Sequence, residues 1–274
     1  MNYRHAFHAG NHTEVFKHAA LVAILERLAK KPQGFMVLDT HAGLGVYDLT
    51  SEPAQKTLEY EQGAARVFDA ALASAPAYID LLRAMNPSGL KAYPGSPEIV
   101  RRLLRPQDRL VACELHPADV ETLRLRLGHE DQVAVHHRDG YEAIGAFVPP
   151  PERRGLVFID PPYEKTDEAA TLAGALSRGL RKWPTGVFLA WYPIKDRRIA
   201  ETLSQAAVAE AWPKTLRAEF QIRPRDDLGL VGGGFIVCNA PWKLDETLST
   251  LGAELIPLIG SGGASCAVDW LTAP

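Results

Sequence analysis

The chain has 274 residues, enough to bury a sizeable core as one α/β domain carrying an insertion or as two small domains. Hydrophobic residues make up 46% and charged residues 23%, as in an ordinary soluble globular protein, and the net charge of −3 argues against nucleic-acid binding by bulk electrostatics alone while leaving room for a local basic face. Cys113, Cys238 and Cys266 lack the spacing of a disulfide framework or a metal site, and no apolar run approaches the roughly 18 residues of a membrane span, so a metal-free cytoplasmic monomer is expected.

Residues 1–17 hold Tyr3, Arg4, His5, Phe7, His8, Asn11 and His12, a mixture too polar for a core and too aromatic for a loose tail. A helix is expected from a Thr13 cap to about Lys30, with Val15, Phe16, Ala19, Ala20, Ala23, Ile24 and Leu28 as its buried stripe and Lys17 and His18 in its first two turns. Phe35–Leu38 reads as the first strand. The turn Asp39-Thr-His41-Ala-Gly43-Leu-Gly45 follows, where two glycines permit close approach of the backbone to a ligand. An ordinary tight turn explains it equally well, and His41 alone reads as a polar turn residue. The next convincing strand, Arg109–Glu114, lies far downstream, so residues 48–91, rich in Ala, Leu and Glu at helical spacing, read as a small inserted helical subdomain between 1–47 and 92–274.

Tyr93-Pro-Gly-Ser-Pro97 leads back into a helix running to Leu104, with Ser96 as its expected N-cap and Arg101, Arg102 and Arg105 on its surface as candidates for phosphate contacts. Glu114, at a strand's carboxyl end, suits a pair of ribose hydroxyls or a plain salt bridge. Val133–His136 is a short strand ending at Asp139-Gly140, where an acid can accept from an adenine amino group or form a simple turn. Pro149–Pro151 is a stiff connector.

Leu156–Ile159 is an apolar strand broken abruptly by Asp160-Pro161-Pro162-Tyr163, because two prolines cannot continue a central ladder. One carboxylate and one aromatic ring are thereby left at the carboxyl edge of a parallel sheet, where open α/β folds bind ligands. A helix to about Arg181, a strand Gly186–Trp191 ended by Tyr192-Pro193, a helix Ala200–Ala211, and two last strands, Leu216–Ile222 and Phe235–Asn239, complete the chain, with Arg223–Gly234 as an Arg- and Gly-rich loop.

Each motif has an ordinary explanation alone; in this order, each at a strand end, they point to a class I, Rossmann-like S-adenosylmethionine-dependent methyltransferase with a mixed seven-stranded sheet. Over nearly its whole length the sequence also resembles the RlmJ-type methyltransferases, which modify an adenine amino group of 23S ribosomal RNA. The resemblance is carried by Tyr3-Arg-His-Ala-Phe-His-Ala-Gly-Asn-His12, Lys17-His18, Leu38-Asp-Thr-His-Ala-Gly43, Tyr93-Pro-Gly-Ser-Pro97, Glu114-Leu-His-Pro117 and Ile159-Asp-Pro-Pro-Tyr-Glu164. It implies cofactor contact by His18, His41, Ser96, Glu114, Asp139, Gly140 and Asp160, and RNA contact by an N-terminal segment including Tyr3, Arg4 and His5. It also implies catalysis by Asp160, with Pro161 and the Tyr163 ring holding the base and Lys17 as a further candidate. Asn239-Ala-Pro-Trp242 departs from an Asn-Pro-Pro-Trp in that family. The substrate implied is an unstacked adenine N6 in protein-free or early-assembly large-subunit RNA.

Three alternatives come from other classes. A DNA adenine-N6 methyltransferase shares these motifs, but the insertion is small for a base-reading domain. A protein glutamine methyltransferase typically carries Asn where Asp160 stands. A non-enzymatic RNA-binding protein on the same scaffold has no need to keep Glu114, Asp160 and Tyr163 together.

Overall fold

The computed structural model describes residues 4–224 and 229–273. The first helix, α1 (His12–Ala29), leads into β1 (Met36–Asp39). A two-stranded antiparallel ribbon, β2 (Val46–Asp48) with β3 (Ala92–Pro94), encloses α2 (Glu52–Thr57), α3 (Ala64–Phe68) and α4 (Pro76–Met85). Then follow α5 (Ser96–Leu103), β4 (Arg109–Glu114), α6 (Pro117–Leu127), β5 (Val133–His137), α7 (Gly140–Phe147) and β6 (Gly155–Ile159). The last part holds α8 (Glu168–Lys182), β7 (Val187–Ile194), α9 (Arg197–Ala209), β8 (Leu216–Gln221), β9 (Gly232–Cys238), α10 (Leu244–Ile259) and β10 (Ser265–Trp270).

The main sheet has the order β10-β8-β9-β7-β6-β1-β4-β5. Its strands from β5 to β7 are parallel, and β9, β8 and β10 add antiparallel pairs. The α/β class and the mixed sheet are as the sequence predicts, but among the described residues the main sheet has eight strands, not seven. The missed one, β10, is an outer strand whose residues alternate between exposed and half-buried, so it carries no apolar run to announce it.

Buried strands supply side chains to both faces with a period of two: Val37, Leu156 and Phe158 enter one hydrophobic cluster, Met36, Leu38, Val157 and Ile159 the other. Helices α7, α8 and α9 cover the second cluster. On the other face α1 is buried around its whole circumference from His12 to Leu25, where a single stripe was expected, because it is sandwiched between the sheet and helices α4, α5 and α10. Insertion residues Val67, Tyr78 and Leu82 join the same cluster as Val15 and Phe16 of α1.

Three further boundaries depart from the sequence reading. The cap of α1 is Asn11, whose side chain accepts from the N–H groups of Thr13 and Glu14, and Thr13 is inside the helix. Strand β7 continues through Pro193: its pairing with β6 ends at Ala190, so beyond that point it has β9 alone as neighbour and tolerates a missing N–H. The glycines 232–234 lie in β9, not in a loop, since Cβ atoms at 233 and 234 would meet the Trp191 and Tyr192 rings at 2.7 and 2.6 Å.

Candidate active site

Every parallel strand ends at one edge of the sheet, and there a cavity of about 270 Å³ opens between the ends of β1, β4, β6 and β7 and the start of α1. Asp160 and Pro161 follow β6 into it. The Asp160 carboxylate takes the Lys17 ammonium at 2.5 Å through Oδ2, and among the described residues no hydrogen bond occupies Oδ1. Lys17 also pairs with Glu14 Oε1 at 2.9 Å and stands 5.0 Å over the Trp191 ring. Burial works against this ammonium, yet the Asp160 and Glu14 charges hold its pKa above the ordinary lysine value. Glu14 is deeply buried too. Its burial is outweighed chiefly by His5 and Lys17, which keep its carboxyl well below the usual range.

Tyr163, at φ 51°, folds back so that its hydroxyl donates to the Trp191 carbonyl at 2.8 Å and its ring stands edge-on to Trp191. It lines the cavity, but is mostly buried. Trp191 is the aromatic surface that motif reading missed, and its indole Nε1 is buried without a hydrogen-bond partner among the described residues.

On the opposite wall, the glycine turn wraps the end of β4. Gly43, at φ 61°, gives its N–H to Glu114 Oε2 at 2.8 Å, and a Cβ there would lie 2.3 Å from the Tyr47 hydroxyl, so only glycine fits. Glu114 Oε1 accepts from His116 N–H at 2.7 Å, which fixes the carboxylate at the cavity rim. His41 rests on the Thr40 hydroxyl through Nδ1, and burial pushes its pKa down to about 4 against the pull of Asp160 and Asp139. His18 is likewise lowered to about 4 by burial, and its Nδ1 meets the Tyr93 hydroxyl at 3.0 Å. Asp39 sits beneath the turn, raised to about 7 by burial, with the Ser96 side chain opposing the shift and the Asp160 charge adding to it.

The cavity thus gathers Arg4, His5, Lys17, His18, His41, Ser96, Glu114, Asp160, Pro161 and Tyr163. Ser96 is not the cap of α5; Gly95 holds that place, and Ser96 begins the helix beside Asp39. Asp139 and Gly140 are not among the lining residues: Asp139 caps α7 by accepting from the N–H groups of Tyr141 and Glu142, and Gly140 is pressed against the Thr40 carbonyl and His41. Tyr3 lies outside the described residues. Arg101 and Arg102 pair with Glu98. Arg105 pairs with Asp108 and donates to the carbonyls of Ala29, Lys31 and Gln33, beside the start of β1, at the sheet edge opposite the cavity. Glu14, Tyr47 and Trp191 line the cavity without having been singled out. Trp191 was accessible to sequence reasoning as the residue near the end of the strand after Asp160; Glu14 was accessible only as the acid one helical turn before Lys17.

Residues 32–272 match the family described as ribosomal RNA large subunit methyltransferase D, RlmJ. The ribosomal RNA large subunit methyltransferase J of Escherichia coli (strain K12) is 41% identical over 280 residues, covering 99% of each chain. That of Haemophilus influenzae is 38% identical over 282 residues, again covering 99% of each. A crystal structure of a Legionella pneumophila protein is similar with a TM-score of 0.89 and 34% identity, covering 96% of this chain and 98% of that one.

Proposed function

The chain belongs to the RlmJ family of ribosomal RNA large subunit methyltransferases, and from that premise we propose that it methylates the N6 amino group of one adenine in 23S ribosomal RNA, using S-adenosylmethionine. The observation that carries the reading is the Asp160 carboxylate at the cavity, with one oxygen tied to Lys17 and the other without a hydrogen bond among the described residues, directly before Pro161.

The donor set fits the cofactor. Glu114, anchored by two backbone N–H groups at the rim, offers a carboxylate to vicinal hydroxyls, and the glycine turn bearing Gly43 lies against it at the same rim. Neutral His18 and His41 add no positive charge against a cationic ligand. When bound, S-adenosylmethionine supplies an electrophilic methyl group on a sulfonium.

An adenine amino nitrogen is a poor nucleophile, since its lone pair is delocalised into the ring. If Asp160 Oδ1 and the Pro161 carbonyl each accept one amino hydrogen, the nitrogen is drawn towards a tetrahedral geometry with its lone pair directed at the methyl. Such alignment supplies up to roughly 7–11 kcal/mol in favourable intramolecular cases. Lys17 fixes the carboxylate's orientation by holding Oδ2. The methylated ammonium is a strong acid, so Asp160 suffices as proton acceptor once the methyl has moved. Trp191 and Tyr163 give the flipped base an aromatic wall.

The test is methyl mapping of protein-free 23S RNA fragments incubated with the protein and labelled S-adenosylmethionine. One N6-methyladenine is expected, and none in duplex DNA. Label confined to another atom, or equal turnover on duplex DNA, would sink the assignment.

A further inference from the structure

The insertion between β2 and β3 meets the N-terminal segment along α2 and through residues 57–64. The two ends of this last stretch grip the backbone of that segment: Thr57 Oγ1 donates to the Phe7 carbonyl at 2.5 Å, and the Ala64 N–H donates to the Gly10 carbonyl at 2.8 Å. Gly63 lies so close that a Cβ would come within 2.3 Å of the Gly10 carbonyl oxygen.

Between these grips stands Glu59. One of its oxygens receives His8 Nδ1 at 2.9 Å and the other receives Asn11 Nδ2 at 3.0 Å. A carboxylate only accepts, so His8 must carry its proton on Nδ1. Burial alone would raise the Glu59 pKa, yet the bonds from His8 and Asn11 hold it below the usual range, and the same contact raises that of His8.

Asn11 is bound at both ends of its amide. While Nδ2 reaches Glu59, Oδ1 accepts from Thr13 N–H, Glu14 N–H and the Thr13 hydroxyl, closing the first turn of α1. That turn carries Glu14, and Glu14 pairs with Lys17 one turn on, which meets Asp160. A side chain on the insertion is therefore joined, through one amide, to the helix start that orients the candidate catalytic carboxylate. His8 and Asn11, the residues so held, line the cavity together with His5.

We propose that Glu59 is a positioning residue for the RNA substrate: it holds residues 5–11 as a wall of the cavity, and the insertion thereby serves substrate engagement. This rests on the methyltransferase reading given above. Glu59 is suited to a test because its side chain is one-third exposed and lies outside the hydrophobic clusters, while the Thr57 and Ala64 grips persist without it.

The experiment compares the wild-type chain with Glu59→Ala and Glu59→Gln by amide hydrogen exchange, by KM for a 23S RNA fragment, and by calorimetric affinity for S-adenosylmethionine. Exchange across residues 5–12 and KM for RNA should both rise about fivefold to tenfold in Glu59→Ala, somewhat less than a fully buried hydrogen bond to a charged group contributes, because Glu59 is one-third exposed. Melting temperature, kcat and cofactor affinity should stay near wild type, and Glu59→Gln, which still accepts from Asn11, should fall between. Unchanged exchange and KM, or a uniform decline of melting temperature, kcat and affinity together, would overturn the proposal. If the wild-type chain methylated no RNA, the function reading would fall while the exchange measurement still decided whether Glu59 orders the segment.

Discussion

Lys17 Nζ lies 2.5 Å from Asp160 Oδ2, bringing a helix start and a strand end, far apart in sequence, into one ion pair at the floor of the cavity. The same ammonium reaches Glu14, so two carboxylates depend on one cation, and both Lys17 and Glu14 are almost fully buried. Removing one member of a buried pair leaves an uncompensated charge, which costs more than the pair contributes.

Lys17→Met should therefore destabilise the chain by about 3 kcal/mol or more, with a melting temperature lower by roughly 6–12 °C for a chain of this size. Adding Glu14→Gln to it should recover part of the loss by removing the stranded charge. Thermal unfolding of the two variants checks this; a single variant as stable as wild type would contradict the buried pairing.

Asp160→Asn should keep the fold, since the residue is at a strand end, but lose proton acceptance and the pairing with Lys17. Methylation should fall by at least the roughly 10²–10⁴-fold typical of lost acid–base assistance, with cofactor affinity changing far less. Single-turnover rates and calorimetry separate the two; near-wild-type turnover would mean that Asp160 only positions the base.

Glu114→Ala should weaken S-adenosylmethionine binding at least tenfold, because hydrogen bonds to a charged acceptor contribute about 1.5–3 kcal/mol each. It also releases the Gly43 and His116 N–H groups that the carboxylate now satisfies. Unchanged affinity by calorimetry would place the cofactor elsewhere.

What the sequence made legible was what local pattern encodes. The apolar run 156–159 closed by two prolines located the cavity floor, and Glu114 at a strand end located its rim. What escaped depends on contacts between distant segments. Arg101, Arg102 and Arg105 read as surface cations, yet the fold hands them Glu98, Asp108 and three backbone carbonyls. Trp191 reads as an ordinary strand residue until β7 is seated beside β6. The glycines 232–234 look like a loop because their reason, the rings of Trp191 and Tyr192, belongs to another strand.

Stability should decline as pH falls from about 6.5 towards 4. Burial lowers the pKa of His12, His18 and His41 to about 4, so unfolding takes up a proton at each between that value and the unfolded value of about 6.5. Asp39 runs the other way: raised to about 7, it is protonated in the fold before it is in the unfolded chain, and its contribution grows as pH falls. Three histidines outweigh one aspartate, at about 1.4 kcal/mol per net proton per pH unit. Melting curves at pH 5 and pH 7 check the sign, and a chain more stable at pH 5 would refute these protonation states.

RNA binding should depend on the cations at the cavity edge and not on those at its opposite. Lys195 follows β7 and lines the cavity, and Arg197 opens α9 two residues on with its side chain exposed, so both are candidates to meet the phosphates of a strand entering the cavity. Each phosphate left without its protein cation should flatten the dependence of log affinity on log salt by about 0.7 for single-stranded RNA. Lys195→Ala and Arg197→Ala should therefore each weaken binding to a 23S fragment and flatten the salt slope. Arg105→Ala should lower the melting temperature instead, because its guanidinium ties the segment after α1 to Asp108, and leave affinity and slope as in wild type. Fluorescence titrations over a range of salt concentrations distinguish these outcomes. A slope flattened as much by Arg105→Ala as by Arg197→Ala would put the RNA on the far edge of the sheet, away from Asp160.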